Sequence, residues 1–239
     1  MTSAAPPRAF KEVLVAEKGD GFAVTLDGRQ ARTPGGAPLI LPTRRLAEII
    51  RAEWQALGAS LDWRALPLTR LASPGLDGAE EGRARAAATL RNYAGADLLC
   101  YFADGPSALV ERQQHVWGEL LDWARRAHGL AFERARGIVH RDQPEALFVR
   151  LEEVVSARDA FHLSGLAFGA ALLGSTILAL ALEDARLDAA AAVAAARLDE
   201  AFQEEIWGID AEAALRTERL HAEARLLESY FRALSAGRD

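Results

Sequence analysis

The chain has 239 residues, half of them apolar and about a quarter charged, which is enough to fold and to bury a sizeable core in one or two domains. Its formal net charge of −6 is unevenly spread: residues 1–110 carry 13 basic and 12 acidic side chains, whereas residues 111–239 carry 15 and 22. That acidic C-terminal half argues against nucleic acid and for a positively charged protein surface, and a single cysteine, Cys100, excludes an intramolecular disulfide or a Cys-rich metal site.

In chain order, the N-terminal stretch MTSAAPPRAFKEV lacks the apolar core of a secretory signal, so a cytoplasmic protein is expected. The first forty residues read as a β-meander. Val13 and Val15, then Phe22, Val24 and Leu26, alternate with polar neighbours. Lys18-Gly19-Asp20-Gly21, Asp27-Gly28 and Thr33-Pro34-Gly35-Gly36 supply turns. Thr43 after Pro42 is a helix N-cap; Leu46, Ile50, Trp54 and Leu57 form the buried stripe, and Gly58 is the expected stop. Pro67 to Gly78 is rich in turn residues and reads as a connection. Helices are then expected over 79–93, over 107–128 with Val116, Leu120, Trp123 and Ala127 inward and Gly129 as stop, and over 144–161, 163–182, 188–207 and 210–234. In the last of these, Leu220, Ala224, Leu227, Phe231 and Leu234 form the apolar repeat. A short strand is expected at 137–139. The pattern is that of an α+β protein: a small β-rich N-terminal α/β domain over residues 1–72, then a larger all-helical domain over 73–239.

Leu163 to Leu182 is a run of 20 uncharged residues, long enough to span a bilayer. It is rich in small residues, including Gly165 and Gly169, and its edges hold acids and His162 rather than Lys/Arg clusters or aromatic belts. A central helix buried by its neighbours is the expectation, with no stable membrane insertion.

Leu198 to Glu212, LDEAFQEEIWGIDAE, holds six carboxylates and no base. At about 100° per residue, Leu198, Phe202 and Ile206 form one stripe, and Glu200, Glu204 and Trp207 cluster within roughly 60° on another. A large aromatic beside acids suits docking of a basic partner. The other reading is a solvated helix end with Trp207 folded under a neighbour.

Catalytic signatures are lacking. The five histidines are dispersed without metal-ligand spacing, and no Gly-x-Ser-x-Gly elbow or nucleotide loop occurs. Cys100 sits in an apolar run and reads as a small buried hydrophobe. Arg70, in the turn-rich connection, is suited to organising carbonyls or a carboxylate such as Asp77. No enzyme activity, metal or cofactor is expected.

Several strings then point to a family. Leu26-Asp27-Gly28-Arg29, Arg32-Thr33-Pro34-Gly35-Gly36, Leu41-Pro42-Thr43-Arg44 and Ala52-Glu53-Trp54 come first. Pro67-Leu68-Thr69-Arg70-Leu71-Ala72, Asp97-Leu98-Leu99-Cys100-Tyr101, Phe202-Gln203 and Trp207-Gly208 follow. In this order and spacing the chain resembles the F-type ATP synthase assembly chaperones dedicated to the α subunit, in their bacterial form, from about residue 10 to 210. The resemblance implies a non-enzymatic protein that binds the newly made α subunit and keeps it from aggregating until it meets β. It also implies a two-part fold and a functional acidic region mapping to Glu200, Glu204 and Glu205. Ala201 and Ser73 stand where the family often has Glu and Asn.

The expected partner-binding set is Glu200, Gln203, Glu204, Trp207 and Asp210, with Trp54, Arg70 and Asp77 as structural residues. A monomer is expected, because self-association would compete for the docking surface. The alternative function is a helical binding protein for an apolar small molecule, with residues 163–182 lining the pocket.

Overall fold

The computed structural model describes residues 6–137 and 139–236. Contacts divide the chain into two compact units, Met1–Arg83 with Ser229–Asp239, and Ala84–Glu228. A strand-bearing N-terminal region and a larger helical part make the fold α+β.

The first unit is built on a hairpin of β1 (Val13–Lys18) and β2 (Gly21–Leu26), antiparallel from Val13 opposite Leu26 to Lys18 opposite Gly21. At its next turn Asp27 and Gly28 both take positive φ. The Asp27 carboxylate accepts the Lys11 and Glu12 amides, which hold it below the usual carboxylate range. β3 (Arg29–Gln30) and β4 (Ile40–Leu41) both pair antiparallel with β2.

Helix α1 (Arg44–Gln55) packs on β1 and β2 through Leu46, Ala47, Ile50 and Trp54. Thr43 caps it by accepting the Leu46 amide, and its buried hydroxyl donates to the Ala233 carbonyl. The helix stops at Gln55, with Ala56 rather than Gly58 closing it. The turn-rich stretch expected over 67–78 is largely helical: α2 (Pro67–Ala72) is followed by a 3-10 turn at Ser73–Gly75. Proline at the first helical position and in the 3-10 turn loses no useful amide donor, so both prolines fit.

The second unit begins within α3 (Ala79–Gly95). A 3-10 turn at Leu98–Cys100 leads into β5 (Tyr101–Phe102), which pairs parallel with β6 (Ala135–Arg136). The strand therefore precedes the expected 137–139; Ile138 lies outside the described residues.

Helix α4 (Ser107–His128) ends at Gly129 in the left-handed conformation. Its buried face is Leu109, Gln113, Trp117, Leu120, Leu121 and Ala124, turned from the expected stripe, and Ala127 is exposed. That face includes a polar residue, Gln113, whose buried amide is bonded on both sides and so is satisfied in a core position.

Two expected long helices, 163–182 and 188–207, are each two, and the boundary expected at 162 falls earlier. Asp159 caps α6 (Ala160–Leu173), separating it from α5 (Glu145–Ser156). Gly174 in the left-handed region and Ser175 as N-cap break the apolar run, giving α7 (Thr176–Glu183). Arg197 separates α8 (Ala189–Ala196) from α9 (Leu198–Trp207). Every residue from Thr176 to Leu182 is buried. A Cβ on Gly169 would come 2.9 Å from Leu227 and 3.1 Å from Ala179, so glycine permits that close packing. Among the described residues no helix is long and apolar enough to cross a membrane.

The last helix, α10 (Ala211–Ser235), places Ala224, Leu227, Phe231 and Leu234 inside, with Leu220 half-buried.

Candidate partner-binding face

The first two turns of α9 are anchored by buried apolar side chains, whereas its last turn buries none. Leu198 and Phe202 are buried, but Ile206, expected on the same stripe, is 54% exposed, and Trp207 is 81% exposed. Gly208, at positive φ, ends the helix by donating its amide to the Glu204 carbonyl. Ile209 (64%) follows, and Leu215 (54%) stands one turn into α10. Together these large apolar side chains form an exposed apolar patch along one short segment, of the kind that suits an interaction surface.

The acids beside this ridge differ from the sequence reading. No base lies within residues 198–212, but arginines reach in from outside. Arg197 pairs with Glu204 at 2.5 Å, each side chain 18% exposed. Arg112 pairs with Glu205, and Arg216 with Glu212. Gln113 donates to Asp199 at 2.7 Å. Asp210 caps α10 by accepting the Ala213 amide. Among the described residues, Glu200 is the one acid of this segment with no such partner. The acidic surface expected from the sequence is thus corrected to an apolar ridge bordered by mostly paired carboxylates, with Glu200 the exception. The compensating residues are remote in sequence (Arg112, Gln113) or sit just before or after the segment (Arg197, Arg216).

Glu200, Gln203 and Glu204 come together on a groove of about 610 Å³ that Arg197, Arg216 and Leu220 also line. Trp207 and Asp210 are not part of that lining. On the same helix, Asp199 belongs to a second cavity, of about 860 Å³, with Tyr101 and Phe102. Sequence reasoning missed this cavity, because its walls come from segments far apart along the chain.

In the first unit, the expected structural residues have distinct settings. Trp54 is buried and donates from Nε1 to Thr69 Oγ1 at 2.9 Å, with Trp63 edge-on at 5.8 Å between centroids. Its neighbour Glu53 accepts the amides of Leu68 and Thr69 and the Thr69 hydroxyl. α2 has no cap of its own, so Glu53 supplies one from α1. Burial raises the Glu53 carboxyl despite those donors. Asp77 is held by the Thr33 hydroxyl and the Ala37 amide. The suggested Arg70 partnership is absent among the described residues, and Arg70 is exposed. A Cβ on Gly35 would fall 2.5 Å from the Asp77 carboxyl carbon, so a larger residue there would displace that carboxylate from Thr33 and Ala37.

Asp97 is fully buried, accepting the amides of Leu99 and Ile177, and desolvation pushes its carboxyl up to about 6. Burial also raises the Cys100 thiol, which keeps it protonated. Among the described residues no group of three or more His, Cys, Asp or Glu is placed to hold a metal ion.

Residues 7–125 match the family described as ATP12 chaperone protein. Among solved structures, the chain is similar to Atp12 from Paracoccus denitrificans: 38% identical, TM-score 0.86, covering 95% of this chain and 98% of that one. It is likewise similar to a mutant of the same Paracoccus protein with aspartate changed to lysine (37% identical, TM-score 0.87, 95% and 97% covered). A protein from Agrobacterium tumefaciens is 34% identical, with TM-score 0.86, over 96% of this chain and 86% of that one.

Proposed function

Since the chain belongs to the ATP12 chaperone family, we propose that its client is the unassembled α subunit of the F-type ATP synthase, held until α meets β in the catalytic head. The observation that carries this reading is the ridge of Ile206, Trp207 and Ile209, left exposed at the end of α9. An unassembled subunit exposes surface that later lies against its neighbour, partly apolar and, near a nucleotide site, partly basic. Trp207 and its neighbours would cover the apolar part, and Glu200 at the groove would meet the basic part. An interface of roughly 1,200–2,000 Å² is normal for a specific complex, and the ridge would supply its centre.

The proposed chaperone works as a cytoplasmic monomer without a cofactor. Oligomerisation through the ridge would hide the surface that must meet the client. For the small-molecule alternative, Leu172 and Leu173 line the smaller groove and Gly174 the larger cavity, whereas the α7 portion of residues 163–182 is buried against α4, α6 and α8 and lines neither.

Purified α subunit diluted from denaturant should stay soluble with an equimolar amount of this chain and scatter light without it. Purified β subunit should gain no such protection. Equal protection of both, or of neither, would overturn the assignment of the client.

A further inference from the structure

The larger cavity of the second unit is not part of the ridge. Its walls are apolar and aromatic, with Tyr93, Leu98, Tyr101 and Phe102 among them, and two carboxylates, Asp104 and Asp199, belong to the same lining. None of the lining residues is basic.

Asp199 is fixed in place by a buried relay. The Ala103 amide donates to Gln113 Oε1 at 2.8 Å, which sets the orientation of the side-chain amide. Gln113 Nε2 then donates to Asp199 Oδ1 at 2.7 Å. Burial raises the Asp199 carboxyl, and this neutral donor only partly offsets that. Asp104 rests against Gly137, where a Cβ would come 2.9 Å from its Oδ2. The Tyr101 hydroxyl is bonded to His140 Nδ1 at 3.0 Å, which orients that ring. Among the described residues no cation pairs with either carboxylate. Arg134 lies 5.6 Å from the Phe102 ring centroid, but it is outside the lining and is engaged with Asp122 and Gln114.

An aromatic-walled cavity with two carboxylates and no internal cation is complementary to a long cationic side chain. The stem lies on the rings while the head meets the acids. A guanidinium suits it better than an ammonium, being planar, more weakly hydrated and able to stack. The cavity also adjoins the ridge. Asp199 and Trp207 are eight residues apart on α9, about 12 Å along the axis, a distance that roughly four extended residues span.

We infer that this cavity is a socket for an arginine side chain of the bound polypeptide, engaged by the same client segment that covers Trp207. The client's identity rests on the chaperone reading above; the chemistry of the socket does not.

The test titrates the full ¹⁵N-labelled chain with N-acetyl-arginine amide, using N-acetyl-citrulline amide as the neutral isostere. The arginine compound should shift the amides of Ala103, Asp104 and Asp199, and citrulline should not. The D104N/D199N variant should bind the arginine compound at least tenfold more weakly, and its capture of α subunit should fall by a similar factor. The amide oxygen introduced by D199N still accepts from Gln113, and D104N alone changes an exposed side chain, so folded variants remain available. No shift at the cavity, equal shifts with citrulline, or undiminished capture by the double variant would overturn the socket. Arginine-selective binding by a wild-type chain that captures no α subunit would support the socket's chemistry and overturn the chaperone reading instead.

Discussion

Arg112 holds Glu205 at two points, Nη1 to Oε1 at 2.6 Å and Nη2 to Oε2 at 2.8 Å, across 93 residues of chain. The same guanidinium stands 5.2 Å from the Phe202 ring centroid, so one residue of α4 holds the last turns of α9. The bonds to Arg112 also lower the Glu205 carboxyl. Both partners face water, so the pair does more for position than for global stability. R112A should speed amide hydrogen exchange at Ile206 and Trp207 severalfold, while lowering the melting temperature by about 2 °C or less. Unchanged exchange would show that α9 needs no such clamp.

Glu200 and Glu204 lie one turn apart and should respond differently to charge reversal. Glu204 is bonded to Arg197 in a mostly shielded pair, so E204K sets two cations together and should cost about 1–3 kcal/mol in urea unfolding. Exposed and without such a partner among the described residues, Glu200 should tolerate E200K within about 0.5 kcal/mol. Capture of α subunit by E200K should still weaken several-fold, since the change acts on the complex.

Trp54 joins α1 to α2 through Thr69, whose hydroxyl donates to Glu53. W54F removes the indole donor and leaves a small void. It should cost about 1–3 kcal/mol by denaturant titration. Capture by the fraction that remains folded should be unaffected, because the change lies in the first unit.

Asp97 makes stability depend on pH. Its carboxyl is raised from an ordinary 3.8 to about 6 in the folded chain, so the folded state binds the proton more tightly. The resulting contribution is complete below pH 3.8 and is lost as pH rises through about 6, amounting to about 3 kcal/mol. Unfolding curves from pH 4 to 7 should show this fall. D97N should be less stable at low pH and should lack that component of the slope. An identical slope in wild type and variant would contradict the assignment.

Local signals were the legible part of the sequence. Thr43 as a cap, Gly129 as a stop and Asp27-Gly28 as a hairpin turn each express a backbone preference that few residues share. Two strings that carried the family resemblance meet in space through Glu53 and Thr69, and Thr33 of a third meets Asp77, which lies outside those strings. Gly174-Ser175 was a readable break, a left-handed stop followed by a cap, but the unbroken apolar run masked it. Burial of Gln113 had no readable sign, because a polar residue enters a core only when distant partners satisfy it. The exposed Trp207 was legible as an aromatic off the main stripe. Arg197 and Arg216, which flank the segment, were in view as neighbours, but Arg112 was not, since it arrives through tertiary structure.

The claim on which the rest depends is that Trp207 is a contact residue and not a core residue. Calorimetric titration of α subunit into wild-type chain and W207A measures it directly. Affinity should fall at least tenfold, with urea unfolding of the free variant changed by about 0.5 kcal/mol or less. Equal affinity, or a variant that loses binding only because it unfolds, would contradict the claim.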